Sequence, residues 1–178
     1  MKTHQLTIDA MLAAMCAVLG CLSLDFSAFK ITFESLPVIF ASLMYGAVDG
    51  MLVGGIGTLI SQLILYGVSP TTPLWMLPFI AAAAAAGINA RRYEFNNSDR
   101  QIILIVCLSE CVIFLLNTLA IYVDARVFGY YFPGYVLGNM GIRLIVCVLK
   151  CVLFSAVTPA LLKKLSRFTG NGHRHERS

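Results

Sequence analysis

The chain has 178 residues, of which 58% are hydrophobic and only 12% charged, with a formal net charge of +4 and a mean hydropathy of +0.81. A soluble domain of this size carries roughly 25% charged residues, so the composition argues against a soluble fold. The basic residues sit in short flanks rather than along one face, which argues against a nucleic-acid partner.

The charges avoid long stretches of the chain: Met11 to Leu24 has none, and Ser35 to Ala90 has only Asp49. Crossing the hydrocarbon core takes about 20 mostly apolar residues. Span 1 is predicted over about Leu6 to Leu24. It lacks a small-residue cleavage site and further spans follow, so it reads as a retained helix rather than a secretory signal. Span 2, about Glu34 to Ala47, is short and carries Pro37 in its first turn, where proline is tolerated. Span 3 runs over about Gly50 to Gly67, and the connection Ala47-Val48-Asp49-Gly50 makes spans 2 and 3 a tight hairpin. Span 4 covers about Pro73 to Arg92, span 5 about Arg100 to Ala125, and span 6 about Gly134 to Leu165, long enough to tilt. The fold class expected is all-α: an integral membrane bundle of six transmembrane helices with both termini cytoplasmic. That orientation follows from lysine and arginine placement. It puts nine basic residues on the cytoplasmic side against Lys30 and Arg126 outside, with Arg143 and Lys150 inside span 6. Residues 1–168 form one domain, and 169–178 are expected to be a disordered cytoplasmic tail.

Six cysteines fall inside apolar segments. Cys107/Cys111 and Cys147/Cys151 each share a helical face. No histidine joins them there, so they read as packing residues, with no metal and no cofactor implied.

Ionisable groups at membrane depth are expensive and mark function by default. Glu110 and Lys150 both fall near mid-membrane on consecutive antiparallel spans and are expected to pair. That pair is either structural or part of a proton or ion relay. Arg143 lies about two turns into span 6, with Asn139 one turn above it and Asn117 at comparable depth. Trp75 starts span 4, Gln62 and Tyr66 end span 3, and Tyr122, Tyr130 and Tyr131 lie at the same level. Arginine grips a carboxylate through two parallel hydrogen bonds, and a mostly apolar pocket with a few fixed polar groups is what a small-molecule site needs. The competing readings are an interfacial aromatic belt and an arginine snorkelling to headgroups. The first outer loop, Asp25 to Phe33, is too apolar for solvent. Phe26, Phe29 and Phe33 are expected to fold over the bundle mouth beside Lys30, either as a lid or as interfacial anchors.

Small residues form a second theme. Span 1 carries Ala10, Ala13, Ala14 and Ala17, two overlapping Ala-x-x-x-Ala patterns. Span 3 has Gly50-x-x-x-Gly54, and span 4 has alanine at every position from Ala81 to Ala86. Such faces let membrane helices approach closely, within the bundle or against a partner. No phosphate-binding Gly-x-x-x-x-Gly-Lys-Ser/Thr loop, His-Glu-x-x-His or Gly-x-Ser-x-Gly is present, and no enzymatic activity is expected.

Six short spans, both ends inside, Ala-x-x-x-Ala in span 1 and an outward-facing pocket resemble the substrate-binding S component of an energy-coupling factor (ECF) transporter. The likeness covers essentially the whole chain. It is most specific over Leu36 to Gly57 and over Leu115-Leu116-Asn117-Thr118-Leu119-Ala120, the latter similar to the folate-specific branch. The resemblance implies that residues 1–168 are the substrate-binding domain. It implies capture of a vitamin from outside, with a separate transmembrane T component and two cytoplasmic ATPases supplying the coupling. The T component would dock on Ala10, Ala13, Ala14 and Ala17. Ligand contacts would fall on Arg143, Asn139, Asn117, Trp75, Gln62, Tyr66, Tyr122, Phe29 and Lys30. The chain departs from the folate pattern at Ser69 to Trp75, where that branch carries Phe-Pro-Gly, which here precedes span 6 as Phe132-Pro133-Gly134. Arg143 favours a carboxylate-bearing vitamin, such as folate or pantothenate. The alternatives are an ion- or proton-coupled solo carrier and a structural or regulatory membrane subunit that transports nothing.

Overall fold

The structure is a computed structural model that describes residues 3–22, 24–26, 29–92, 99–129, 132 and 140–175. Its helices are α1 (Thr3–Cys21), α2 (Ser35–Tyr45), α3 (Ala47–Tyr66), α4 (Thr72–Arg92), α5 (Asp99–Val127) and α6 (Met140–His175). Four of them, α3 to α6, are long and apolar enough to cross a membrane, while the apolar stretch of α1 is shorter. At 11 residues and a rise of 1.5 Å per residue, α2 is about 16 Å long and does not reach across a bilayer. The span expected over Glu34 to Ala47 is therefore a half-length helix. Helix α6 continues past Phe168, where the tail was expected to begin, and runs as backbone helix to His175.

The outer surface is what lipid requires and water forbids. Leu104, Ile145 and Val152 are each about two-thirds exposed, and no hydrophobic drive buries such side chains when the surrounding tails are as apolar as leucine. What holds the helices together is close packing. Helix α3 sits between α1, α2 and α4, and glycines make the approach possible. A Cβ on Gly50 would strike the Ser42 side chain of α2, one on Gly54 would crowd Val38 of α2 and the Phe79 backbone of α4, and one on Gly57 would strike Cys16 of α1. The Gly50-x-x-x-Gly54 pattern is thus spent inside the bundle. So is the alanine run of α4, where Ala82, Ala83, Ala86 and Ala90 are fully buried.

The α2–α3 turn differs from the sequence expectation. Its hinge is Gly46 alone, at φ 107° and ψ 179°, a region open essentially only to glycine. The Gly46 N–H donates to the Ser42 carbonyl at 3.1 Å. Ala47 to Gly50, expected as the connection, is the first turn of α3. Asp49 belongs there because a carboxylate suits a helix N-terminus, and it accepts a hydrogen bond from Gln5 Nε2 of α1 at 2.6 Å. On the other side of this turn Gly87 of α4 lies so close that a Cβ would collide with the backbone of Ala47. Backbone cannot yield as a side-chain tip can. Gly87→Leu is therefore expected to destabilise the folded protein by about 1–3 kcal/mol or more, read as a lower thermal midpoint in detergent. An unchanged midpoint would contradict this packing.

The first loop contains an antiparallel ribbon, β1 (Leu24–Phe26) and β2 (Phe29–Ile31), paired Leu24 to Ile31, Asp25 to Lys30 and Phe26 to Phe29. Phe33, just after it, stacks at a tilt on Phe154 of α6, ring centroids 6.3 Å apart. Helices α5 and α6 are tied at one end by the exposed Asp99–Lys163 ion pair, 2.5 Å, and along their length by two sulfurs. Cys107 Sγ lies 3.8 Å from Ser155 Oγ, and Cys147 Sγ donates to the Glu110 carbonyl at 3.7 Å. The cysteines expected to pack inside apolar segments include these inter-helix contacts.

Candidate ligand-binding cavity

A cavity of about 820 Å³ opens between α3, α4, α5 and α6, with Gly20 of α1 and Glu34, just before α2, also on its wall. That is within the range of about 300–1,000 Å³ for small-molecule sites. At its shallow end stand the exposed Tyr66 and Phe128. At its deep end stand the buried Ser61, Phe79 and Glu110.

Each wall follows from helical spacing. Helix α3 ends on the cavity with Ser61, Gln62, Leu65 and Tyr66, residues one turn apart. A turn then brings Ser69, Thr71 and Thr72 to its edge. That turn is pinned by the Ser69 N–H donating to Thr72 Oγ1 at 3.0 Å and by Ser69 Oγ lying 3.1 Å from Thr71 Oγ1. Trp75 and Phe79, four apart on α4, supply flat rings. Helix α5 presents Glu110, Phe114, Asn117, Ile121 and Asp124, and α6 presents Arg143, Val146, Cys147 and Lys150.

Five of the expected contacts are brought together here: Arg143, Asn117, Trp75, Gln62 and Tyr66 all line the cavity. Tyr122 is not among the lining residues. Its ring, on another face of α5, carries the Arg126 guanidinium 5.7 Å from the centroid. Asn139, Tyr130 and Tyr131 lie outside the described residues. Phe29 and Lys30 are described only as backbone in β2. Thr32 and Glu34, just beyond that strand, do reach the cavity, and Thr32 Oγ1 donates to Glu34 Oε1 at 3.2 Å.

The Glu110–Lys150 pair forms, with Nζ 3.4 Å from Oε2 and both side chains nearly buried. Lys150 Nζ also lies 5.8 Å from the centre of the Phe154 ring. Both members border the cavity, which the sequence reading did not assign to them. The signal was available in spacing: Glu110 and Asn117 are seven apart on α5, and Arg143 and Lys150 seven apart on α6. Two helical turns return a side chain to nearly the same face. The buried carboxylate of Glu34 was missed because it was taken only as a helix boundary.

The alanines of α1 divide. Ala13 and Ala17 are buried, Ala13 where its carbonyl would meet a Cβ on Gly57. Ala10 and Ala14 face outward and border, with Ala13, Leu6, Asp9 and four residues of α3, a second hollow of about 320 Å³. Ala17 is not part of it. Among the described residues, no group of three or more histidine, cysteine, aspartate or glutamate side chains is placed to hold a metal ion.

Lipid-facing helices around a polar-studded cavity define a multi-pass membrane protein with room for a small molecule. A family model described as "ECF transporter, substrate-specific component" matches residues 4–163, and the chain belongs to that family. Two solved structures share its fold. One is described as the S component of a bacterial ECF transporter: 19% identity, TM-score 0.66, covering 95% of this chain and 99% of that one. The other is the S component for biotin from an ECF-type ABC transporter: 14% identity, TM-score 0.66, covering 91% and 92%. Comparison with curated proteins gives no match.

Proposed function

We propose that this S component captures a carboxylate-bearing vitamin, folate-like or pantothenate, from the outer side of the membrane. It then delivers it inward together with a transmembrane T component and two cytoplasmic ATPases. The observation that carries this reading is the meeting of Arg143, Asn117, Gln62, Trp75 and Tyr66 on one cavity of about 820 Å³. The guanidinium supplies a planar fork for a carboxylate, the amides orient polar groups, and the rings offer flat apolar surface. Orientation is supported by charge: with both termini cytoplasmic, the shallow end of the cavity faces outward and most lysines and arginines face inward. Docking of the T component is supported by the outward Ala10 and Ala14, whose small side chains leave a hollow along α1.

The test is a paired measurement. The detergent-purified chain is titrated calorimetrically with folate, pantothenate and biotin, and with riboflavin and thiamine as ligands lacking a carboxylate. Saturable binding of a carboxylate vitamin is expected, and binding of only riboflavin or thiamine would overturn the reading. In cells that also express the partner subunits, Ala14→Trp is expected to leave binding intact and abolish uptake. Uptake that survives the substitution removes this face from docking, and uptake by the chain alone would restore the solo-carrier alternative.

A further inference from the structure

We propose that the seam between α5 and α6 is an oxidative modification site, where Cys107 and Cys151 give hydrogen atoms to lipid peroxyl radicals and join as a disulfide. The site lies apart from the contacts proposed for a vitamin and does not rest on that reading.

Four of the six cysteines fall on this seam. Cys107 and Cys111 share one face of α5, and Cys147 and Cys151 share one face of α6. The two helices run antiparallel, and three contacts fix their register: Asp99 to Lys163, Glu110 to Lys150, and Cys107 Sγ to Ser155 Oγ at 3.8 Å. In that register Cys107 stands opposite the turn from Cys151 to Ser155, and Cys111 opposite the turn from Cys147 to Cys151. Cys151 interacts with Cys107 across the seam and with Cys147 on its own helix, while Cys147 interacts with Cys111 across the seam. The four thiols, all free, thus form a row rather than four separate packing residues. Among the described residues no such group is placed to hold a metal ion, so the chemistry open to the row is that of thiols. Cys147, the cross-seam neighbour of Cys111, donates to the Glu110 carbonyl at 3.7 Å. That leaves Cys107 and Cys151 as the pair in direct thiol contact between the helices.

The surroundings say which oxidant fits. Leu104, Leu108 and Leu115, one and two turns from the exposed Cys111, face outward, as do Val148 and Val152 beside Cys147 and Cys151. An oxidant that reaches the row therefore comes through hydrocarbon. A charged thiolate is expensive there, which disfavours nucleophilic attack on a peroxide, because that attack needs the thiolate. Hydrogen-atom transfer needs only S–H and creates no charge. A lipid peroxyl radical, formed on an unsaturated acyl chain, is both soluble in hydrocarbon and able to accept a hydrogen atom. Each thiol gives one hydrogen atom to one peroxyl radical, breaking S–H and forming O–H. Two lipid hydroperoxides leave, and the two sulfur radicals pair to form the S–S bond. Each sulfur is oxidised by one electron and each peroxyl radical is reduced by one. Closure ties together the two helices that carry Asn117 and Arg143.

The experiment reconstitutes the full chain in vesicles of polyunsaturated phosphatidylcholine and adds a lipid-soluble azo initiator in air. The intact mass is expected to fall by about 2 Da, two hydrogen atoms. Peptide mapping is expected to join Cys107 to Cys151, and a phosphine to restore the mass. Cys107→Ser and Cys151→Ser are each expected to form no disulfide under the same dose. Tetrathionate, an anion confined to water, is expected to leave the pair open. Free thiols in wild type after the acyl chains are peroxidised overturn the site. So does a disulfide that forms in either serine variant, closure by tetrathionate at the same rate, or oxygen added to sulfur without a disulfide. The wild-type mapping stands even if neither variant folds.

Discussion

Lys150→Ala lowers the stability of the folded bundle by about 3 kcal/mol, the low end of the 3–5 kcal/mol typical when one member of a buried ion pair is removed. The loss arises because Glu110, 2% exposed, is left as an uncompensated charge at membrane depth. The low end applies because Glu110 borders the cavity rather than being enclosed by packed side chains on every side. Replacing both members, Lys150→Met with Glu110→Leu, recovers most of the loss, since well-packed apolar residues in place of a buried pair are often neutral or stabilising. Exchanging the charges, Glu110→Lys with Lys150→Glu, also folds if the pair is structural. The measurement is reversible unfolding in mixed micelles. A single variant as stable as wild type would show that the 3.4 Å contact contributes nothing.

The second large effect is on binding. Arg143→Ala weakens a carboxylate ligand by about 2 kcal/mol or more, the scale for losing one partner of a buried charge pair, which is roughly 30-fold in Kd. Arg143→Lys retains the charge but not the fork, so it recovers only part of the loss. A ligand without a carboxylate is affected less. Calorimetric titration of the three proteins with the bound vitamin and with its methyl ester separates these contributions. Equal affinity of wild type and Arg143→Ala would remove Arg143 from the site.

Much of this architecture was legible in the chain because the membrane imposes a simple rule. Mostly apolar runs of about 20 residues become helices, and the four long ones fall on such runs. Errors arose where that rule is silent. Apolar residues run through Gly46, so periodicity offered no signal for a one-residue turn, and Asp49, the only charge nearby, drew the start of span 3 three residues too late. The β1–β2 ribbon is three residues per strand, too short for alternation to stand out. Along the cavity wall, Arg143, Asn117, Trp75, Gln62 and Tyr66 were legible as a group because polar and aromatic residues cluster at one estimated depth. Depth alone does not say which way a side chain points, and Tyr122 shares the level but faces Arg126. Glu110 and Lys150 were matched to each other by depth, yet whether they stand in packed interior or beside open space depends on what α2 does, which no local pattern reveals.

The brevity of α2 therefore has a consequence for capacity. Its eleven residues fill about 16 Å of a hydrocarbon slab about 30 Å thick, and Glu34, just before its first turn, reaches the cavity. The cavity thus adjoins the N-terminal end of a helix that stops well short of spanning the slab, and where α2 begins bears on how much open space stands beside Glu34.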